Sequence, residues 1–412
     1  MSTLLIRNVE LNRVKTNILV KDGRFADLNA AADTVADEIY DATDEAILPS
    51  FHNTHTHAAM TLLRGYADDM ELFKWLNEHV WPFEAKMQPQ DIYDGSRLAI
   101  LEMIRTGTTF FCDMYWMSEE TVKAVDEMGV RAAIGVTVMD PIGKERNDAG
   151  LKLVEDFVSA TGRVTLIPAP HAVYTAGSEL LQRCAELSRK KDIALTLHVA
   201  ETEKEVADCI AQYGLSPVRW LDKLGVLNDK TVVAHCIHVD AEEIDILKER
   251  GVVLAHNPCS NMKLGSGFFK SQELIEAGCR ITLGTDGACS NNNLDMREEM
   301  KFAALMAKVR YTPETLPAGL VLDWATKNGA QAFGLNSGTI EVGALADAVF
   351  VDLNNDRLVP NYNLVSNWVY AADSSAISST MCDGKFLMKK GAIENQEEIL
   401  AKARESVRRL TA

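Results

Sequence analysis

Eight times along this chain a short, continuously apolar run is followed by a stretch with helical spacing, and that alternation narrows the folds open to it. The apolar runs are 46–51, 108–114, 131–138, 164–169, 193–199, 231–235, 252–255 and 281–284; helical patterns such as 90–106, 119–128, 178–190, 241–249 and 294–307 lie between them. Strands that are apolar throughout, rather than alternating, belong to a parallel sheet buried on both faces. Eight such units over roughly 250 residues predict an α/β chain built on a TIM-like (β/α)8 barrel. A doubly wound open sheet would carry a Gly-rich phosphate turn after its first strand; here that place is taken by Phe51-His52-Asn53-Thr54-His55-Thr56-His57. The two ends differ from the middle. Residues 3–28, 341–352 and 379–389 read as short alternating strands, with a turn at Lys21-Asp22-Gly23, and 394–410 reads as a charged helix. The expected organisation is a small composite β-sandwich domain formed by both termini (1–49 and 341–412, the latter ending in the helix), with the barrel, 50–340, inserted between its halves.

Composition excludes several roles. Of the 412 residues, 47% are hydrophobic and 25% charged, a balance that supports a large core. No run of about 18 apolar residues suggests a membrane span, and the first residues lack the pattern of a secretory signal. The formal charge of −17 leaves no basic footprint for nucleic acid or an anionic membrane. Eight scattered cysteines without a C-x-x-C argue against a disulfide framework or a thiolate zinc site, and fit a cytoplasmic protein.

The chemistry starts from His55-Thr56-His57. Alternate residues of a strand share a face, so two imidazoles can converge on one cation. Alone, this pattern is weak, because half-buried histidines are common. Three further residues strengthen it. His198 ends the fifth apolar run, His235 ends the sixth, and Asp286 follows the eighth. A parallel barrel presents its site at these strand ends. His55, His57, His198 and Asp286 make a donor set of three nitrogens and one oxygen with a position left open. That set suits one divalent metal ion, zinc first, with ferrous iron the alternative.

On Asn53-Thr54-His55-Thr56-His57-Ala58, Met60-Thr61-Leu62-Leu63-Arg64-Gly65, Trp75-Leu76, Pro82 with Glu84, His198 with Glu201, Ala234-His235-Cys236, His256-Asn257-Pro258, Gly284-Thr285-Asp286-Gly287 and Gly343 with Ala346-Asp347, the chain resembles the amidohydrolase superfamily. Within it the likeness is to the cytosine-deaminase-like and triazine-hydrolase-like branch, closest to the 5-methylthioadenosine/S-adenosylhomocysteine deaminases. The resemblance covers essentially the whole chain. It implies hydrolytic removal of ammonia from an aminated purine nucleoside. The metal would lower the pKa of water toward ~7. Asp286 would double as a base, His235 would orient the water, and Glu201 would carry a proton to a ring nitrogen and then to the amine. Glu84 would accept from ribose hydroxyls, Trp75 would pack on the nucleoside or its 5′ group, and His171 would touch sugar or base. Homo-oligomers are common in the family.

Three features of the chain refine that implication. The binuclear relatives bridge two metals through a fourth-strand lysine, but 163–174 contains none. The related deaminases grip the homocysteine carboxylate with a third-strand arginine, whereas 132–138 has none, and Arg146 is the nearest substitute. S-adenosylhomocysteine should therefore bind less well than a neutral nucleoside, since a buried, unpaired carboxylate is costly. Ala172-Val173 replaces the family's serine-proline. The rival readings are an aminohydrolase or chlorohydrolase of another azaheterocycle (triazine, pterin or oxidised guanine), a binuclear cyclic-amide hydrolase, and a non-catalytic binding protein. His52, His79, His238, His256, Cys236 and Cys259 are expected to be structural, and Ser290-Asn291-Asn292-Asn293 to cap the helix that follows.

Overall fold

The computed structural model describes residues 2–411; Met1 and Ala412, the outermost residues of the terminal ranges, lie outside them. Two four-stranded parallel sheets form the centre. The first runs Phe51–Thr56, Thr108–Tyr115, Arg131–Val138, Val164–Pro170, and the second Leu195–Val199, Thr231–His235, Val253–His256, Arg280–Leu283. Every residue of the second and third of these eight strands is buried, as continuous apolarity predicts. The sheets meet edge to edge at two seams. One carries a single parallel bridge, Ala172 to His198. At the other, side chains replace the ladder: the Thr54 hydroxyl donates to Leu283 O at 2.9 Å, and Asn53 Nδ2 to Thr285 Oγ1 at 2.7 Å. The backbone of Asp286 donates to His55 O at 2.9 Å across this seam.

The helices lie close to their predicted spans. Pro89–Arg105 starts with proline in its first turn and a reciprocal Gln88/Asp91 cap. The terminal helix is Gln396–Thr411. Among the described residues, no helix is long and apolar enough to cross a membrane.

One expectation needs correction. The run 46–51 is not a single strand. Glu45–Pro49 pairs antiparallel with Ala348–Asp352 in the terminal sheet, whereas Phe51–Thr56 pairs parallel with Thr108–Tyr115. The break falls at Ser50. The first barrel strand is therefore the histidine-bearing segment itself, rather than the run before it. The sandwich is also one continuous nine-stranded mixed sheet. It folds back on itself, with Phe25 N donating to Ala344 O at 3.0 Å. Its inner face carries Ile6, Ile18, Phe25, Ile47 and Phe350, all at most 1% exposed. Asp347, fully buried, joins this sheet to the barrel by accepting from Arg131 Nη1 at 2.5 Å and Ser337 Oγ at 2.7 Å.

His52 is buried in the first barrel strand, stacked against Phe110, and neither ring nitrogen has a hydrogen-bond partner. Burial pushes it down to about 4. The folded state keeps this ring neutral while the unfolded chain protonates it near 6.5, so its stability contribution is complete above 6.5 and is lost as pH falls toward 4. Replacing His52 with Asn should flatten the loss of thermal stability between pH 6.5 and 4.5, on the order of 2 kcal/mol. Melts of both proteins across that range check this; parallel curves would remove His52 as a source of acid lability.

Candidate metal centre and active site

His55 lies inside the first barrel strand and His57 one residue past its end, with ring centroids 5.0 Å apart and planes at 85°. His198, in the fifth strand, comes within 4.9 Å of the His55 ring and 5.4 Å of the His57 ring. Asp286 is delivered by the end of the eighth strand, and Gly284 makes that possible. A Cβ there would stand 2.8 Å from both the N and the O of His55, so only glycine lets the two backbones approach this closely. Asp286 Oδ1 sits 3.1 Å from His57 Nε2 and 3.4 Å from His55 Nε2. Two overlapping sets hold potential ligand atoms within 4.8 Å of one another: His55, His57, His198, and His55, His235, Asp286.

Backbone carbonyls aim two of these rings. His57 Nδ1 meets Met114 O at 2.6 Å and His198 Nδ1 meets His171 O at 2.8 Å. Each carbonyl favours the tautomer with its proton on Nδ1, which leaves the Nε2 lone pair facing the cluster. His55 is 0% exposed and neither of its nitrogens has a hydrogen-bond partner. Leaving such atoms unsatisfied costs roughly 1–3 kcal/mol. Burial pushes His55 down to about 4 and His198 well below its ordinary value, so both are held in the neutral, ligating form. Burial opposes charge on His57 as well, but the bonds to Asp286 outweigh it and raise that ring to about 9. Burial likewise opposes the Asp286 carboxylate, and His55 and His57 hold it well below the usual carboxylate range. The neutral His55 and His198 rings, the former without a hydrogen-bond partner, and the ionised Asp286 are what a divalent cation would satisfy, and the His57 proton would have to leave for that ring to join them.

Around this cluster stand groups suited to proton transfer. His235 is 2% exposed, its Nδ1 meets Asn261 Oδ1 at 2.8 Å, and its Nε2 lies 3.7 Å from Glu201 Oε2. Burial raises Glu201, which brings it closer to sharing a proton at neutral pH. Asp286 Oδ2 accepts from Ser260 at 2.6 Å and Ser290 at 2.8 Å, so only Oδ1 is turned to the histidines. Four strand-end residues here hold left-handed backbone: Ala200 (φ 52°), His235 (73°), Cys236 (48°) and Asp286 (60°). Each costs roughly 1–3 kcal/mol, and such strain gathers where surrounding structure enforces a working geometry.

The cluster floors a cavity. Its opposite wall is apolar, made by Leu72, Trp75, Leu76, Val80 and Trp81. Trp75 donates its Nε1 proton to Ala67 O at 3.0 Å, which orients the indole. Glu84 lines the same cavity, accepting from Tyr115 at 2.6 Å and, at 3.4 Å, from Trp116. His171 lines it too, with Nδ1 2.9 Å from Thr175 Oγ1; burial pushes that ring down to about 3. Among the described residues, no lysine or arginine lines this cavity. Lys263 is engaged by Asp68 and Asn292, and Arg146 sits on the exposed face of its helix, away from the cavity.

The histidines set aside lie elsewhere: His238 contacts Ser266 O, His256 stacks on Phe269, and His79 lies beside Tyr66. Cys236 and Cys259 have thiols raised by burial. The expectation for 290–293 is corrected. Asp295 caps the helix Met296–Arg310, and Ser290 instead holds the site aspartate. Ser260 and Asn261 were not singled out by sequence reasoning. Their signal was the helix start after His256-Asn257-Pro258, whose first turn faces the strand ends.

Residues 46–387 match the model of the Amidohydrolase family. The chain belongs to this family. A 5′-deoxyadenosine deaminase from Methanosarcina mazei is 40% identical over 97% of this chain and 94% of the relative. A 5-methylthioadenosine/S-adenosylhomocysteine deaminase from Syntrophomonas wolfei is 42% identical over 96% and 94%. An adenosine deaminase from Xanthomonas campestris, solved with bound zinc, superimposes with a TM-score of 0.92 at 33% identity, covering 99% of this amidohydrolase and 98% of that chain. A triazine hydrolase variant superimposes at 0.90 with 21% identity, over 99% and 100%, a likeness of fold.

Proposed function

We propose that this amidohydrolase deaminates adenine nucleosides carrying a neutral 5′ group. The observation that carries the reading is the convergence of three imidazoles and Asp286 at the floor of a cavity, with His235 and Glu201 3.7 Å apart beside them. His55, His57, His198 and Asp286 would hold one divalent ion, zinc ahead of iron. Such an ion supplies Lewis acidity that brings the pKa of water toward ~7. A second ion lacks a bridging group, because the fourth strand, Val164–Pro170, contains no lysine.

Water adds across the C6=N1 bond of the purine. Asp286 accepts one proton from it. His235, braced at Nδ1 by the Asn261 amide oxygen, presents Nε2 to the attacking oxygen and orients it through a hydrogen bond. Glu201, protonated at the outset, delivers a proton to N1; the proton left on the C6 hydroxyl then passes through it to the amine nitrogen, and the proton held by Asp286 returns to Glu201. The C6–N bond then breaks, and ammonia and the 6-oxo purine leave. Two buried carboxylates thus have separate tasks: Asp286 is held ionised beside the histidines, ready to take the water proton, and Glu201 is raised toward protonation.

Recognition of the sugar falls to Glu84, whose remaining lone pairs accept from ribose hydroxyls. Trp75 packs on the 5′ side and His171 on sugar or base. The similar deaminases, named for 5′-deoxyadenosine and 5-methylthioadenosine, support a nucleoside. With no cation in the lining, a carboxylate at the 5′ end would be buried unpaired, at a cost of several kcal/mol. In an ammonia-release panel, kcat/KM for 5′-deoxyadenosine and 5′-methylthioadenosine should exceed that for S-adenosylhomocysteine by about 100-fold or more. Equal values would refute the neutral-pocket reading, and turnover confined to pterins or triazines would refute the nucleoside reading.

A further inference from the structure

Glu205 is 2% exposed, carries a carboxyl that burial raises to about 7, and takes no part in the reaction above. It is the third residue of the helix Glu203–Tyr213, whose N-cap, Thr202, accepts from Glu205 N. Thr-x-x-Glu at a helix start ordinarily closes a reciprocal box, the glutamate side chain returning to the cap residue's own N–H. Here the side chain reaches further back. Its Oε1 accepts from Ala200 N and its Oε2 from Glu201 N, each at 2.8 Å.

Those two amides belong to the turn that aims Glu201. Ala200 holds left-handed backbone at φ 52°, which an alanine adopts only under constraint. The turn is locked to the neighbouring strand end as well. Val199 O accepts from Cys236 N at 3.0 Å, and Ala200 O accepts from Ile237 N at 3.0 Å and His238 N at 2.9 Å. His235 lies in this second turn, also left-handed. The bidentate grip of Glu205 therefore holds one of two interlocked kinks, and the kinks together set the spacing of Glu201 from His235. A carboxylate is the side chain that suits this place, because both donors need an acceptor. Glutamine would turn its NH₂ toward one of the two N–H groups.

We infer that Glu205 is the positioning residue for Glu201: through the Ala200 and Glu201 amides it fixes the proton-carrying carboxylate against His235 and over the reacting ring. The inference rests on the proposed role of Glu201. Misplacing a reacting group by about 1 Å can cost 10²-fold in rate. Glu205→Gln should lower kcat about 10–100-fold, with KM and bound metal per chain unchanged. In a Glu201→Gln background the same change should have no further effect on the residual rate, because a residue that acts through another has nothing left to position. A merely structural role would lower Tm and leave kcat per folded, metal-loaded chain intact; that result overturns the inference, and so does a full additive loss in the double variant. If Glu205→Gln does not fold, Glu205→Asp takes its place in the same cycle, since it keeps both acceptors on a shorter arm. Hydrogen exchange at Ala200 and Glu201 in the unaltered protein gives a readout without substitution: both amides should be protected as strongly as those of the fifth strand, and rapid exchange would overturn the grip. Failure of the underlying reading is distinguishable, because Glu201→Gln would then retain full activity whatever Glu205 does.

Discussion

Glu201→Gln is expected to lower kcat by about 10³–10⁴-fold while the protein keeps its metal and its fold. The size follows from the loss of a positioned general acid-base, typically 10²–10⁴-fold, placed here on both proton transfers of one reaction. Glutamine fills the same volume, and the Glu201 side chain contacts Ser266 and His235 rather than the four proposed ligands. Metal content should stay at about one ion per chain. KM should change little, since the interaction removed is made chiefly in the transition state. Measuring kcat, KM and metal content on the same preparation separates the outcomes. Unchanged turnover would take Glu201 out of the reaction, and parallel loss of metal would make it part of the ion's support.

His198→Ala is expected to act differently, removing metal and activity together. His198 is buried, with its Nδ1 spent on His171 O and its Nε2 turned into the cluster, so alanine leaves a hole among the His55, His57, His171 and His235 rings. Elemental analysis should fall well below one ion per chain, and deamination should drop by more than about 10³-fold, because hydroxide is no longer available near neutral pH. Loss of a cation that binds only the folded state also lowers stability by mass action, about 4 kcal/mol at a thousandfold excess over Kd, and Tm falls with it. Chelation followed by zinc should restore the unaltered enzyme and leave the variant inactive. A starting content near two ions per chain would favour a binuclear site instead. Retention of one ion by the alanine variant would exclude His198 from the ligand set.

The residues of the site were more legible than their supports. His55, His57, His198, His235 and Asp286 could be read because each sits at the end of an apolar run or just beyond it, and the repeated strand pattern places all such ends at one mouth. Glu201 followed from the resemblance to the related deaminases, which pairs it with His198. Ser260, Ser290, Asn261 and Glu205 carried no comparable signal. A serine or asparagine near a helix start reads first as a cap, and Thr202-Glu203-Lys204-Glu205 reads as a box. Each is diverted by a partner that local spacing does not specify. The break at Ser50 was hidden for a similar reason. The run from Ala46 to Phe51 has one continuous strand character, and only the partners on either side, Ala348–Asp352 and Thr108–Tyr115, divide it between two sheets.

From the residue order alone came the fold class and the side chains proposed to hold the metal. These depend on periodicity and residue type, which are written within a few positions of each other. Tertiary structure decided how the ends of the barrel meet. Thr56 Oγ1 reaches Asp286 O across 230 positions of chain, and Gly284 lets the eighth strand approach the first closely enough for that contact. It also decided which oxygen of Asp286 faces the histidines, and what Glu205 holds. Such contacts arise only when distant segments close on one another, and their distances come from packing around the whole ring rather than from any local preference.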